Sequence, residues 1–188
     1  EDNSGSIEYL ILSDAGAQIN SESQYNGLSL YAVGSETNIQ NIAILNGSDD
    51  GVEFFGGSVS ATNLYLENNE DDAVDWTEGW NGAVTNTYVY HTIENFSTAI
   101  EADGVNGNPT IENFTAVSET GGIALPFKAQ SGATITGLSL TGYDTAIDIA
   151  EEGRTDLSGI QIEGNNATLE DTYETEATVD LEMFSWVE

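Results

Sequence analysis

The chain has no cysteine and almost no positive charge. Without a thiol it can form neither a disulfide nor a thiolate nucleophile or metal ligand. Lys128 and Arg154 stand against 33 acidic residues, and the formal net charge is −31. Nucleic acids and anionic membranes are bound by clusters of Lys or Arg, so the composition excludes both as partners. Acidic polysaccharides are disfavoured for the same reason.

Long apolar runs are missing as well. No stretch is long enough to span a bilayer, so we expect no insertion into a membrane. The sequence has no initiator methionine and no signal peptide, so we expect a processed chain or a piece of a longer one. Apolar residues make up 39% of the chain and the acids are spread along it. This distribution indicates a folded domain with an acidic surface instead of a disordered tail.

The sequence does contain a repeat. A pattern of the form apolar–x–x–apolar–x–apolar returns every 22 to 32 residues, with the alternation of inward and outward side chains that is typical of a strand. Its seven occurrences are Ile7/Leu10/Leu12, Ile39/Ile42/Ile44, Ala61/Leu64/Leu66, Val84/Thr87/Val89, Ile111/Phe114/Ala116, Ile135/Leu138/Leu140 and Leu157/Ile160/Ile162.

A second, shorter strand follows most of these patterns and begins with Gly or Ala. The pairs are Gly27 before Leu28, Gly51 before Val52, Ala73 before Val74, Ala99 before Ile100, Gly122 before Ile123 and Ala146 before Ile147. One coil cannot bury its apolar side alone, so neighbouring coils must stack. We therefore predict an all-β fold: a single-stranded, right-handed parallel β-helix (β-solenoid) of about seven coils over residues 1–164, with residues 165–188 as a C-terminal cap or terminal strand. A β-sandwich also has many short strands, but it gives no reason for a small residue to recur in register.

Two turns with adjacent aspartates are the strongest candidates for a binding site. Asp49 and Asp50 recur 22 residues later as Asp71 and Asp72, so stacked coils would place the two pairs about 4.8 Å apart. Like charges at that distance repel, and oxygen-only ligands suit Ca²⁺ better than zinc or copper. We predict Ca²⁺ at these four residues. A solvated acidic face adapted to salty surroundings is the alternative.

A second set of residues offers a ligand surface. Glu53, Asp75, Glu101 and Asp148 are expected to form an outward acidic column, interrupted by Ala124. Trp76 falls on the inward register and is expected to fill the core. Three aromatic residues, Trp80, Tyr88 and Tyr90, are expected at the surface, where their rings can stack on a neutral glycan or a protein partner.

The motifs of catalysis are incomplete. Paired aspartates also serve polysaccharide hydrolases of this fold, but the His-Gly and Arg-x-Lys elements that accompany them there are missing. Lyases need Arg or Lys near the substrate carboxylate, and only Lys128 and Arg154, about one coil apart, are present. His91 has no evident partner. We predict that the protein is not an enzyme, and a fold by itself implies no activity.

Several segments carry a resemblance to a known family. They are residues 3–12 (NSGSIEYLIL), 26–34 (NGLSLYAVG), 48–57 (SDDGVEFFGG), 71–80 (DDAVDWTEGW), 99–103 (AIEAD) and 145–149 (TAIDI). Together they resemble secreted or lipid-anchored surface proteins of marine Gram-negative bacteria. The resemblance spans about residues 1–165 and implies a pectate-lyase-like β-helix. It brings no established activity and no catalytic residues.

These features predict a structural or adhesive β-solenoid at the cell surface, stabilised by Ca²⁺. Coils that are open at both ends would let molecules stack end to end into a filament or layer, or bind other surface proteins. The alternative is a carbohydrate-binding or polysaccharide-degrading β-helix protein that uses the aromatic residues and the aspartate pairs.

Overall fold

The protein consists almost entirely of short strands wound into stacked coils. A computed structural model describes residues 2–21, 23–128, 130–149 and 154–187. The longer strands of the coils are β1 (Ser6–Ser13), β3 (Asn38–Leu45), β5 (Ser60–Glu67), β7 (Ala83–His91), β9 (Thr110–Ser118), β11 (Ala133–Thr141) and β13 (Ile160–Ile162). The shorter strands are β2 (Leu28–Tyr31), β4 (Val52–Phe55), β6 (Val74–Thr77), β8 (Ile100–Ala102), β10 (Ile123–Pro126) and β12 (Thr145–Asp148).

The odd-numbered strands β1 to β13 pair in parallel, in sequence order, in one sheet. The even-numbered strands form a second face, β2-β4-β6-β8 and β10-β12, and a bridge between Ala102 and Phe127 links the two parts. Each coil thus lies directly on the preceding one. The predicted class, an all-β parallel β-solenoid of the right-handed type, is confirmed. In the described part of the chain, no helix has the length and apolar character needed to cross a membrane.

The predicted number of coils is too high, because about five turns are present instead of seven. At the last coil, Ile160 pairs with Ala133 and Ile162 with Ile135, not with Leu138 and Leu140 as predicted. The chain leaves the coil path immediately after this, where Glu163 and Gly164 both have positive φ. The seventh pattern is therefore only the first part of a coil.

A bend in each long strand explains the two-residue gap in the apolar pattern. Asn41, Asn63, Asn86 and Asn113 all adopt left-handed φ angles between 54° and 60°. Asparagine tolerates this conformation better than most residues. The side-chain amide of each of the last three donates to the preceding one in the series, at 2.9 to 3.0 Å. A ladder of asparagines thus fixes the corner at which β3, β5, β7 and β9 turn onto a new face.

Small residues before the short strands are required by close packing. A Cβ on Gly27 would lie 2.5 Å from Ile44 Cγ2, and one on Gly51 would lie 2.5 Å from the Ala73 carbonyl oxygen. For the fifth short strand, the predicted position of the small residue is wrong by two residues. The pairing of Ala102 with Phe127 places Ala124, not Gly122, in this column.

The inward side chains form one continuous apolar core. Trp76 is buried there, as predicted, and Phe54 stacks on Trp80 with ring centroids 4.1 Å apart. Because the core runs along the whole stack, it fixes the register of the turns at its corners, including the acidic ones.

The C-terminal residues first close the last coil and then return along the solenoid. The two-residue strand β14 (Asn165–Asn166) pairs antiparallel with β13. The outer edge of β13 is therefore not open, in contrast to the expectation of open coils at both ends. Residues 173–187, called the C-terminal strap here, then cross the outer face of the long-strand sheet.

The strap runs from the last coils to the first. The Leu140 N–H donates to the Tyr173 carbonyl (3.0 Å), and the Thr178 N–H donates to Thr115 Oγ1 (2.9 Å). A 3-10 helix follows at Leu181–Phe184, and beyond it the ring of Trp186 meets Tyr9 edge-on at 5.7 Å.

Candidate metal centre

The two predicted aspartate turns stack on each other at one corner of the solenoid. They join β3 to β4 and β5 to β6. The Asp72 N–H donates to Asp50 Oδ1 (3.0 Å), and the Gly51 N–H donates to the Asp72 carbonyl (2.8 Å). The predicted stacking of the turns is confirmed, and the backbone hydrogen bonds hold the side chains of consecutive coils close together.

Five carboxylates form two overlapping clusters. One oxygen each of Asp49, Asp50 and Asp71 lie within 4.8 Å of one another, and so do oxygens of Asp50, Glu53 and Asp75. Asp50 belongs to both clusters. Three of the four predicted metal ligands are thus brought together.

Asp72 does not join either cluster. Its Oδ1 accepts a hydrogen bond from the Thr98 hydroxyl on the next coil. Glu53 and Asp75, in contrast, were predicted only as members of a separate outward column. Their direct pairing across β4 and β6 was readable from the repeat, but their approach to Asp50 depends on the path of the turn.

Asp75 is the least satisfied member of the site. Its side chain is 8% exposed, and within the described residues its Oδ1 is buried without a hydrogen-bond partner. Buried polar atoms in folded proteins are nearly always paired, because desolvation without a compensating contact is costly. A ligand that compensates a carboxylate would therefore be favourable at this position.

Burial sets the protonation of these acids. It raises the pKa of Asp50 to about 9, with the charge of Asp72 as the next cause. Burial and the charge of Asp50 raise the pKa of Asp75 to about 10, and burial and Glu101 raise the pKa of Asp72 to about 8. In the absence of a cation, these shifts favour the protonated form of each carboxyl. A bound cation would displace the protons.

The outward acidic column contains an ion pair at its third member, Glu101. Glu101 follows Asp75 in register, and the Lys128 ammonium lies 2.7 Å from its Oε2. Pro126, which pairs with Asp148, interrupts the column, and not Ala124 as predicted. This correction follows from the shifted register of the fifth coil. Lys128 thus compensates the charge of Glu101 in this column.

A surface cavity leads to the clusters. It has a volume of about 410 Å³, and its walls include Asp49, Asp50 and Glu53. The insertion before β2 forms the opposite wall, where the Asn26 amide donates to Glu53. Carboxylates, side-chain amide oxygens and water from this cavity are the ligands that Ca²⁺ takes, six to eight at a time. The residues present fit such an ion.

The three aromatic residues that were predicted at the surface do not lie together. Trp80 is fully buried instead of exposed, and its Nε1–H donates to the Val59 carbonyl (2.9 Å). It lies past the end of its strand, but the stack on Phe54 draws it inward. Tyr88 and Tyr90 do face outward, since they flank the buried Val89, but they lie on the long-strand sheet. The aromatic residues and the acidic clusters therefore do not converge on one cleft.

The other candidate catalytic groups are used in structural contacts. His91 is buried, its Nδ1 lies 3.0 Å from the Tyr143 hydroxyl, and its ring stacks on Phe96 at 3.8 Å. Burial lowers the pKa of His91 to about 4. The Arg154 guanidinium donates to the carbonyls of Lys128 and Ser131, so the two basic residues are neighbours, as their spacing suggested.

Stacked parallel coils, an inward apolar column and polar corner turns define a β-solenoid of the pectate-lyase-like type. The chain belongs to the family of pectate-lyase-like β-helix domains, whose sequence profile matches residues 1–185. Comparison with curated proteins and with solved structures gave no significant match. The family establishes the fold and leaves the function to be argued from the residues.

Proposed function

We propose that the protein is a non-enzymatic, structural or adhesive β-solenoid of the cell surface, and that Ca²⁺ stabilises it at the corner formed by Asp49, Asp50, Glu53, Asp71 and Asp75. The observation that carries this proposal is the Asp75 carboxylate. It is buried, one of its oxygens has no partner among the described residues, and it lies with two other carboxylates in one cluster. A divalent cation supplies the missing compensation.

The position of the clusters supports a stabilising role. Their ligands come from consecutive coils, so an ion bound there would connect the two turns and relieve the repulsion between them. Weak calcium sites with dissociation constants of about 10⁻⁴ to 10⁻³ M are typical of extracellular modules. A site of this affinity would be occupied at the Ca²⁺ concentration outside the cell and empty at the concentration inside. This is the reason for the proposed location at the cell surface.

The geometry favours binding over catalysis. Glycosidases keep their two carboxyl groups roughly 5 Å apart in retaining enzymes, and further apart in inverting ones, on either side of an open substrate cleft. Here Asp50 and Asp75 are buried and Glu53 is partly buried, with one oxygen of each within 4.8 Å of the others. A polysaccharide-degrading activity is the competing proposal. Loss of viscosity of a neutral or acidic polysaccharide on incubation with the protein would support it.

Thermal unfolding tests the calcium proposal. The midpoint is compared in EDTA, in millimolar CaCl₂ and in millimolar MgCl₂ at matched ionic strength. We expect a rise specific to Ca²⁺, because a ligand that binds only the folded state stabilises it, by roughly 0.4 to 1.4 kcal/mol at one to ten times its dissociation constant. Asp75→Asn should abolish the rise, and Glu112→Gln, an exposed acid on β9, should retain it. Equal midpoints in all three solutions would contradict the proposal.

Self-association is the second part of the proposal. The first coil exposes Tyr9, Ile11 and Tyr31, and the exposed fraction of the Tyr31 side chain is 68%. A second copy or another surface protein would cover these side chains. Sedimentation velocity over a wide concentration range, with and without Ca²⁺, measures this. A monomer under all conditions would refute self-association without affecting the calcium site.

A further inference from the structure

An aromatic groove lies between the C-terminal strap and the long-strand sheet, on a different face from the acidic clusters. Its volume is about 790 Å³, which is in the range of small-molecule sites. Tyr65, Tyr88 and Tyr90 form its floor, and Phe184 of the strap forms part of its roof. None of these residues takes part in the proposed calcium site.

The order of side chains along one outward column explains why the groove exists. Ala43, Tyr65, Tyr88 and Thr115 are consecutive neighbours in register. The strap contacts the small end of this column directly, through the hydrogen bond from Thr178 to Thr115. At the tyrosine end, the strap meets the column through the ring of Phe184 against Tyr65, and the groove lies beside these rings.

The rings are close enough to act as one surface. The centroids of Tyr65 and Tyr88 are 5.7 Å apart, those of Tyr65 and Phe184 are 5.6 Å apart, and those of Tyr88 and Tyr90 are 6.4 Å apart. Aromatic faces carry partial negative charge and attract cations placed within about 6 Å of the ring centroid.

The charged groups of the groove are all acidic. Glu67 and Glu182 line it, and the Tyr65 hydroxyl donates to Glu67 (2.7 Å). Burial and then the charge of Glu67 raise the pKa of Tyr88, as expected for a site of negative potential. Lys128 lies on the short-strand face beside Glu101. Among the described residues that line the groove, neither Lys128 nor Arg154 is present, so a bound cation would meet no basic side chain in the lining.

We infer that this groove binds an organic ammonium group, such as a quaternary or alkylated amine. Its charge would be balanced by Glu67 and Glu182, and its alkyl groups would pack against Tyr65, Tyr88 and Phe184. A bare metal ion would find too few oxygen ligands among these rings. An anion would be repelled by both carboxylates, and a neutral molecule would gain nothing from the charge of the half-buried Glu67. The inference goes beyond the calcium proposal and does not depend on it.

Choline and its uncharged carbon analogue 3,3-dimethyl-1-butanol test the inference. The two have nearly the same shape and differ in the positive charge. Binding to the full chain is measured by calorimetry and by ligand-observed NMR, with Ca²⁺ present and with ionic strength matched by NaCl. We expect saturable choline binding with a dissociation constant on the order of millimolar, and at least about tenfold weaker binding of the analogue.

Variants locate the binding. Tyr88→Leu and Glu67→Gln should each weaken choline binding by about tenfold. The controls Tyr31→Leu and Glu112→Gln, which change an exposed tyrosine and an exposed acid elsewhere, should leave it unchanged. Thermal unfolding of each variant checks that it is folded. Two further substitutions, Tyr65→Leu and Phe184→Leu, replace any variant that is not folded.

Three results would overturn the inference. Equal binding of choline and its analogue would remove the role of charge, and unchanged binding in the groove variants would place the ligand elsewhere on the acidic surface. A disaccharide that binds in the groove when choline does not would assign the site to a neutral glycan instead.

Discussion

At the scale of single residues, burial turns ordinary acids into groups that hold protons at neutral pH. Asp50 and Asp75 lie in the same cluster. After burial, the charge of Asp72 raises the pKa of Asp50, and the charge of Asp50 raises the pKa of Asp75. The same proximity that makes the free carboxylates costly makes them a suitable pair for a divalent cation. Their protonation and their metal binding are therefore linked.

This linkage predicts a pH dependence for the metal-free protein. Above the ordinary carboxyl pKa of 3.8 and up to about 10, the folded state holds a proton on Asp75 that the unfolded state has released. The free energy of unfolding in EDTA should therefore fall as pH rises from 6 to 9, by on the order of 1 kcal/mol per pH unit for each such group. Urea unfolding at several pH values measures this.

The variant Asp75→Asn isolates the contribution of that residue. An amide has nearly the shape of the protonated carboxyl but does not titrate. The variant should show a shallower decline with pH than the natural chain, and it should lose the response to Ca²⁺. An identical pH profile in the two proteins would mean that Asp75 is already ionised in the folded state.

At the scale of elements, the asparagine ladder fixes the corner of the four consecutive strands β3, β5, β7 and β9. Asn86 adopts φ of 57° and shares amide hydrogen bonds with Asn63 and Asn113. Gly137 continues the corner on β11 at φ of 64°, where the absence of a Cβ removes the steric cost. Backbone conformation and side-chain hydrogen bonding therefore both contribute at Asn86.

Two substitutions separate these contributions. Asn86→Ala loses the ladder bonds and keeps an unfavourable left-handed residue, so we expect a loss of about 2 to 3 kcal/mol in unfolding free energy. Asn86→Gly loses only the bonds and should cost roughly half as much. Denaturant unfolding of both variants provides the comparison. A glycine variant less stable than the alanine variant would show that the bend itself is not strained.

At the scale of the whole molecule, 33 acids on a chain of 188 residues repel one another through solvent. Salt screens exposed charges, with a screening length that falls from about 10 Å at 0.1 M to about 3 Å at 1 M. The acidic surface and the acidic site therefore respond to different conditions. The surface responds to any salt, and the site responds to one ion at low concentration.

This difference predicts two separable effects on thermal stability. Raising NaCl from about 0.1 to 1 M should raise the unfolding midpoint of the natural chain and of Asp75→Asn by similar amounts. Millimolar CaCl₂ should raise it only in the natural chain. If NaCl alone reproduces the full calcium effect, the acids form a solvated surface and not an ion site.

The sequence by itself determined the class of fold and the stacking of the aspartate turns. Both follow from local patterns, namely the alternation of apolar residues, the recurring small residue and the repeat of Asp49 and Asp50 as Asp71 and Asp72. Parallel coils translate such a repeat directly into spatial neighbours. The sequence also contains the corner asparagines, which occupy the constant two-residue gap between the first and second apolar residues of the pattern.

Only the tertiary structure decided the rest. Whether Gly122 or Ala124 stands in the column of small residues depends on the path of an irregular loop, and the inward position of Trp80 depends on the space beside Phe54. The approach of Asp75 to Asp50 and the return of the strap over the tyrosines join segments that no sequence period relates. Contacts of this kind are fixed by packing of the complete chain, because many local arrangements satisfy the same alternation of side chains.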